Sequence, residues 1–233
     1  MKIMKNLMFG GFCLAFLPLS YGAGIADIYW YEATPGKVAE ATALMREGRD
    51  IAIASGQTTI VHKQNLGEGA ENRFLWVDFF ESYSQKAKQA YSDVGGDYSK
   101  SWKKYIDKME SSEAMTPLKS HSMTSLDEIN PGNYIVQVYT WEPKPGEFAK
   151  SLAAMEEAQV IFESHGYLID IWQHGLGSGN YLQFTMLSSS REAQAKSFEA
   201  LLADEKWSAR QQQWFDEQKY GRLVESYEMT VLD

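Results

Sequence analysis

The stretch YWYEATPG at residues 29–36 returns as YTWEPKPG at residues 139–146. Tyrosine, glutamate, proline and glycine recur at the same places, at a constant offset of 110 (146 − 36). The turns LGEG at 66–69 and LGSG at 176–179 keep this offset, and Trp76 and Phe184 then fit an offset of 108 (184 − 76). A unit of this length exceeds the roughly 20–45 residues of solenoid repeats. The sequence therefore predicts two small domains of the same kind.

Each copy has the pattern of a β-α-β-β-α-β series. Short aromatic or β-branched runs predict strands, and apolar residues at helical spacing predict helices. In the first copy the predicted elements are a strand at 28–31, a helix from the Pro35-Gly36 start to Gly56, strands at 58–64 and 74–80, helical sequence at 82–115 broken near Gly95-Gly96, and a strand at 119–126. In the second copy they are 134–141, 145–165, 168–174, 181–187, 190–220 and 222–232. The linker NPGN at 130–133 separates the repeats, which we place at 27–128 and 133–233.

This order of elements is that of a ferredoxin-like unit, in which both helices pack on one face of an antiparallel sheet. The other face stays bare in a single copy. At roughly 25 cal/mol per Å², covering several hundred Å² of apolar surface is worth on the order of 10 kcal/mol. We therefore predict an α+β fold in which two tandem ferredoxin-like repeats pair their sheets into an intrachain α/β barrel.

The duplicated β-α-β-β-α-β pattern, the Pro-Gly start of each first helix and the Gly-x-Gly hairpin resemble the dimeric α/β-barrel superfamily, which includes antibiotic-biosynthesis-type monooxygenases. The resemblance covers residues 27–233 and implies the tandem barrel. Members of that superfamily include cofactor-free oxygenases, isomerases, haem enzymes and proteins without known chemistry. The resemblance therefore leaves the function open.

The first residues have the composition of a secretory signal. Lys2 and Lys5 precede an apolar stretch at 7–19, and small residues follow it. This order predicts a signal peptide at 1–22 and an exported protein, periplasmic or secreted. Cys13, the one cysteine, lies inside the apolar stretch, so the exported part would have neither disulfides nor thiolate nucleophiles.

The chain is acidic, with a net charge of −9 and no basic stripe. Nucleic acids and anionic lipid surfaces bind through clusters of lysine and arginine. The composition therefore argues against both kinds of partner and leaves a small molecule as the expected one.

Strand alternation predicts which side chains face the space between the repeats. Ile60, His62 and Gln64 share one face of their strand, and Asp170, Trp172 and His174 take the corresponding positions in the second copy. Aromatic walls with a few polar groups are typical of a small-molecule site. The predicted ligand-binding residues are His62, Gln64, Asp170, Trp172, Tyr29, Tyr31, Tyr139 and Trp141.

His174 and Asp78 are the predicted acid–base residues. Imidazole titrates near neutral pH, and Asp78 is the one charged residue in the run FLWVDFF at 74–80. Asp170 lies about 13 Å from His174 along the strand, too far to orient it directly.

The sequence predicts no metal site and no cofactor. The four histidines show neither an i,i+4 pair nor a His-Glu-x-x-His spacing. Haem would need an axial ligand, for which His165 or His174 would serve. The leading hypothesis is a ligand-binding protein. The alternatives are a cofactor-independent oxygenase or isomerase acting on an aromatic compound, a haem enzyme, and a partner-binding module that uses its sheet edges.

Overall fold

The structure of the protein is a computed structural model that describes residues 24–91, 97–126, 130–217 and 221–233. The predicted signal peptide and the predicted helix break near Gly95 lie outside the described residues. No helix within these ranges is long and apolar enough to span a membrane.

Both halves contain the same series of elements. The first half consists of β1 (Ile25–Ala33), α1 (Val38–Ala54), β2 (Thr58–Leu66), β3 (Arg73–Phe80), α2 (Tyr83–Tyr91), α3 (Asp97–Ser112) and β4 (Met115–Ser125). The second half consists of β5 (Ile135–Pro143), α4 (Phe148–Ser164), β6 (Leu168–His174), β7 (Leu182–Ser188), α5 (Arg191–Leu202), α6 (Glu205–Glu217) and β8 (Gly221–Val231).

The eight strands form one closed barrel in the order β1-β3-β2-β8-β5-β7-β6-β4. Each half contributes four antiparallel neighbours, and the halves join where β2 pairs with β8 and where β4 pairs with β6. Closure leaves no exposed sheet edge of the kind that promotes aggregation. The predicted intrachain barrel of two ferredoxin-like units is confirmed.

The strand registers repeat as the sequence does. Ile25 pairs with Thr124 in the first half, and Ile135 pairs with Thr230 in the second. Both ladders contain an irregularity at the same place, after Trp30 and after Thr140. The offset is therefore 110 between β1 and β5 (135 − 25) and 106 between β4 and β8 (230 − 124), and these offsets identify the counterpart residues of the two halves.

One pair of counterparts meets directly. Lys119 in β4 and Glu225 in β8 differ by 106 (225 − 119), and the Lys119 Nζ lies 3.1 Å from the Glu225 Oε1. The same ammonium lies 5.3 Å from the centroid of the Trp30 ring. Two counterparts can be neighbours only close to the pseudo-twofold axis, so this ion pair marks that axis.

The Pro-Gly motif that reveals the repeat forms a turn before each helix. Gly36 has φ 81° and Gly146 has φ 80°, a left-handed conformation that favours glycine. Lys37 N donates to Thr34 O at 2.8 Å, and Glu147 N donates to Lys144 O at 2.9 Å. Proline followed by a left-handed glycine is typical of a type II turn. The helices therefore begin at Val38 and Phe148, later than predicted.

The helical sequence predicted at 190–220 forms two helices. Ser190 caps α5 by accepting from Ala193 N. Asp204 then accepts hydrogen bonds from the backbone N–H groups of Lys206 at 2.7 Å and Trp207 at 3.2 Å. A side chain that accepts from these positions starts a new helix, so α6 begins at Glu205.

Candidate functional site

The barrel interior is packed with side chains. It contains Ala26, Ile28, Trp30, Leu75, Val77, Met123, Val136, Val138, Trp172, Leu187 and Met229. The cavity left among them is about 60 Å³, measured as the space open to the centre of a water molecule. One water needs about 10–15 Å³ on this measure. The cavity therefore admits a few waters and is too small for an aromatic ring.

His62, Asp170 and Trp172 line this cavity, as the alternation predicted. His62 is buried, and its Nδ1 has no hydrogen-bond partner among the described residues. Burial lowers the pKa of His62 to about 4. Asp170 accepts a hydrogen bond from Asn130 Nδ2 at 2.7 Å. Their ligand-binding roles remain predictions.

Gln64 and His174 are counterparts, and both are buried. Gln64 Nε2 donates to Leu66 O at 3.1 Å and to Glu68 O at 3.0 Å, which ties down the β2–β3 hairpin turn. His174 stacks on His121, with ring centroids 4.7 Å apart. Its Nδ1 lies 3.0 Å from Ser178 Oγ and its Nε2 lies 3.2 Å from Gln183 Oε1.

Burial lowers the pKa of His174, while the hydrogen bond with Gln183 raises it. The burial effect is the larger, so this imidazole is neutral at pH 7. The acid–base role of His174 remains a prediction.

The predicted placement of the four first-strand aromatics beside the barrel interior is wrong. Tyr29, Tyr31, Tyr139 and Trp141 lie on the opposite face of the sheet, under the helices. Ala26, Ile28 and Trp30 face the barrel instead. A strand changes face at every residue, so an error of one position moves the whole set to the other side.

These displaced aromatics line a pocket in each half, between the sheet and the helices. The first pocket, in the first half, measures about 240 Å³. Its floor is formed by β1 and β3, and its walls by α1 and α3. The lining residues are Tyr29, Tyr31, Met45, Trp76, Asp78, Trp102, Tyr105, Ile106 and Met109.

Asp78 is the one carboxylate among these lining residues. Its Oδ1 accepts hydrogen bonds from Thr59 Oγ1 at 2.6 Å and from Trp76 Nε1 at 2.8 Å. Oδ2 accepts no hydrogen bond within the described part of the chain. Burial raises the pKa of Asp78, and the two hydrogen bonds only partly oppose this effect. A carboxylate with a raised pKa is a stronger base once it is ionised.

Three phenol groups share the pocket with Asp78. Burial is the main cause that raises the pKa of Tyr29 to about 12, and it also raises the pKa of Tyr31 and Tyr105. Tyr105 Oη donates to Met109 Sδ at 3.7 Å. All three hydroxyls are therefore protonated near neutral pH, and those of Tyr29 and Tyr31 can donate hydrogen bonds to a ligand.

A second carboxylate lies beside Asp78 on the sheet but has a different environment. Asp27 pairs with Asp78 across the β1–β3 ladder. The Asp27 Oδ1 lies 2.5 Å from Lys86 Nζ and accepts from Ser122 Oγ at 2.6 Å. Its charge contributes to the raised pKa of Asp78. Of these two neighbours, Asp27 is paired with an ammonium group and Asp78 is not.

The second pocket, in the second half, measures about 210 Å³ and occupies the equivalent position. Tyr139, Trp141, Met155, Phe184, Met186 and Trp207 are the counterparts of Tyr29, Tyr31, Met45, Trp76, Asp78 and Trp102. The carboxylate of the first pocket is thus replaced by the thioether of Met186. The sequence analysis predicted neither pocket. A signal was present in β3, because Trp76 and Asp78 alternate with the barrel-facing Leu75 and Val77 and therefore lie on the helix side of the sheet.

No protein-family model matches the chain, and no curated protein matches its sequence significantly. Solved structures do resemble it. A candidate monooxygenase from Fusobacterium nucleatum has a TM-score of 0.62 at 14% identity, covering 91% of this chain and 93% of that one. An anthrone oxidase-like protein has a TM-score of 0.56 at 16% identity, with coverages of 91% and 92%. A candidate chlorite dismutase has a TM-score of 0.56 at 9% identity, with coverages of 91% and 95%.

This is the dimeric α/β-barrel fold. At these identities the likeness establishes the fold and not the activity. The dimeric α/β barrel is here formed by a single chain, because both ferredoxin-like units lie in one sequence.

The described lining residues of the two helix-side pockets do not fit a histidine-ligated haem. Haem iron is held by a histidine, cysteine, methionine or tyrosine ligand, and the described lining of either helix-side pocket includes neither histidine nor cysteine. His165 lies at the end of α4, with its Nε2 2.8 Å from Asp204 Oδ2. Among the described residues, no three His, Cys, Asp or Glu side chains are grouped as a metal site would require.

Proposed function

We propose that the first pocket binds a small aromatic molecule with an acidic proton, and that Asp78 removes this proton as the first step of an oxidation by dioxygen. The observation that carries the proposal is the position of Asp78, a carboxylate with a raised pKa in an otherwise aromatic and apolar pocket. The proposed ligand thus lies beneath the helices of the first half and not between the repeats, where the sequence predicted it.

The side chains of the pocket have complementary roles in this proposal. Trp76 and Trp102 offer flat surfaces to an aromatic ring, with centroids 6.0 Å apart. Tyr29 and Tyr31 donate hydrogen bonds to an oxygen on which negative charge develops, because their hydroxyls stay protonated. Thr59 and Trp76 hold the Asp78 carboxylate by Oδ1 and leave Oδ2 for the substrate.

The chemistry balances with dioxygen as the only oxidant. Asp78 takes a proton from a CH₂ group made acidic by neighbouring aryl and carbonyl groups, and the resulting carbanion gives electrons to dioxygen. One oxygen atom becomes a carbonyl on that carbon, and the other leaves as water with the two hydrogens of the CH₂ group. An isomerase would share the first step and return the proton to another atom.

Two of the similar structures are described as oxidative proteins, so oxidative chemistry is compatible with this fold. One is a candidate monooxygenase and another an anthrone oxidase-like protein. The same fold also supports other activities. The proposal therefore depends on the residues of the first pocket and not on the fold.

The test is oxygen uptake with anthrone and related tricyclic ketones as probes. We expect turnover in the wild type and a loss of about 100-fold or more in Asp78→Asn, the range seen when a general base is removed. Met186→Leu, at the counterpart position in the second pocket, should retain the wild-type rate. Equal rates in both variants would remove Asp78 from the mechanism. Probe binding without oxygen uptake, but with proton exchange that depends on Asp78, would select the isomerase.

The rate should also depend on pH in one direction. The proposed step needs ionised Asp78, and burial raises the pKa of this group. We therefore expect kcat/KM to rise with pH through that pKa, above the usual range of an aspartate, and then to level off. A rate that falls over the same interval would contradict the assignment of Asp78 as a base.

We also propose that the chain is exported, since residues 1–22 have the three-part composition of a signal peptide. The check is the intact mass of the protein expressed with its native N-terminus in a bacterial host. A mass that retains Met1–Gly22 in the cytoplasmic fraction would overturn it.

A further inference from the structure

A polar cluster lies beside each pocket, and the two clusters differ in the strand that carries the negative charge. In the first half the carboxylate of this cluster is Asp27 on β1, which binds Lys86 of α2 and Ser122 of β4. In the second half the counterpart of Asp27 is Gln137, and the counterpart of Ser122 is the carboxylate Glu228 (228 − 122 = 106). The polar cluster is thus retained, while its negative charge has moved from the first strand of the half to the last.

As a result of this exchange, the donors of α5 bind Glu228 and not Gln137. Glu228 is buried and lies beside Gln137 in the β5–β8 ladder. Its Oε1 lies 2.5 Å from Arg191 Nη1, and its Oε2 accepts from Gln194 Nε2 at 2.8 Å. Gln194 is the counterpart of Lys86 (194 − 86 = 108). Arg191 and Gln194, two donors of α5, are therefore engaged by Glu228.

Gln137 is left with a buried acceptor. Its Oε1 has no hydrogen-bond partner among the described residues, and its side chain lines the second pocket. A buried acceptor without a partner has lost its hydrogen bonds to water without replacing them, which destabilises the unliganded state. A ligand that donates one hydrogen bond would recover this energy on binding.

The remaining walls of the pocket are suited to a ring. Phe162 packs edge to face against Trp207, with centroids 4.7 Å apart, and against Phe184, with centroids 5.5 Å apart. Met155 and Met186 complete the apolar surface. A cavity of about 150 Å³ in another protein is known to hold benzene. The volume of about 210 Å³ therefore suits a compact ring system with a single polar group.

We propose that the second pocket is a separate binding site for a neutral aromatic molecule with one hydrogen-bond donor, which Gln137 Oε1 accepts. Met186 stands where the first pocket has Asp78, so this site has no base to remove a proton. The molecule bound there is held without being transformed. Binding at the second pocket does not require the activity proposed for the first pocket.

The experiment uses two probes of nearly the same shape, indole, which has an N–H donor, and indene, which has none. The protein is labelled with ¹³C in its methionine methyl groups. The signals of Met155 and Met186 report on the second pocket. The signals of Met45 and Met109 report on the first pocket. We expect indole to shift Met155 and Met186, and to bind about 3- to 10-fold more tightly than indene, as one hydrogen bond predicts.

Gln137→Leu is the decisive variant, because it removes the acceptor and keeps the size of the side chain. We expect it to weaken indole about 3- to 10-fold and to leave indene unchanged. An unaltered Met45 signal will show that the variant is folded. Gln137→Asn, which keeps an amide, provides a second variant should the leucine form fail to fold.

Three results would overturn the proposal. Indole that shifts only Met45 and Met109 would place the donor site in the first pocket. Indole and indene of equal affinity at Met155 and Met186 would show an apolar cavity without a hydrogen bond. An absence of shifts at all four methionines would show that neither probe enters. Asp78→Asn should leave the indole affinity unchanged, which separates this site from the proposed function.

Discussion

Replacing Trp76 with alanine is expected to lower the free energy of unfolding by about 3–5 kcal/mol. The indole ring is 6% exposed and belongs to the core between β3 and the helices of the first half. Its removal leaves a large cavity beside Trp102 and takes one hydrogen bond from Asp78 Oδ1. Few single substitutions combine a cavity of this size with the loss of a partner for a buried carboxylate.

Urea denaturation of the wild type and Trp76→Ala measures this effect. Leu66→Ala serves as the control, because Leu66 is 62% exposed and its replacement should change the free energy of unfolding by less than about 0.5 kcal/mol. A Trp76→Ala midpoint close to that of the wild type would mean that the ring is not buried under the helices.

Acidification is expected to destabilise the protein through its buried histidines. Burial lowers the pKa of His62 from the usual 6.5 to about 4. A lowered histidine pKa means that the folded state disfavours the proton. The stability contributed by neutral His62 is therefore present above pH 6.5 and is lost as the pH falls from 6.5 towards 4. The shift corresponds to about 3 kcal/mol, at 1.36 kcal/mol per pKa unit.

Two other groups add to this dependence and one opposes it. His121, whose pKa is lowered to about 3 mainly by burial, and His174 act in the same direction as His62. Asp78 acts in the opposite direction, because its pKa is raised and its neutral form is favoured in the folded state. Histidines outnumber it, so the free energy of unfolding should fall between pH 7 and pH 4.5.

The comparison of His62→Leu with the wild type isolates the contribution of His62. The variant should be about as stable as the wild type at pH 7, since it also removes an unsatisfied Nδ1. Its stability should decline less steeply on acidification, as measured by urea denaturation at both pH values. The same slope in both proteins would show that His62 remains accessible to protons in the folded state.

The barrel could be predicted from the sequence because the duplication encodes each element of the fold twice. The constant offsets fixed the order of the elements, and the need to cover two bare sheets fixed their pairing. The faces of β2 and β6 were also predictable, since Val61 is followed by His62 and Ile171 is preceded by Asp170, and these polar residues mark the other face.

The candidate site could not be predicted in the same way. In β1 nearly every residue is aromatic or apolar, because one face packs in the barrel and the other under the helices. Its two charged residues, Asp27 and Glu32, lie an odd number of positions apart and therefore face opposite sides, which leaves the parity of the strand unmarked. The first pocket also depends on how α3 crosses over β3, which brings Trp102 and Tyr105 to Asp78, and no local pattern encodes that distance.

The Lys119–Glu225 ion pair joins two different residues, one from each half of the chain. A symmetric dimer assembled from the first half alone would bring two lysines together at the axis, and one assembled from the second half would bring two glutamates together. Each of these like-charged assemblies would be less favourable than the present chain, although solvent moderates the repulsion. Opposite charges at this point therefore require one copy of each half.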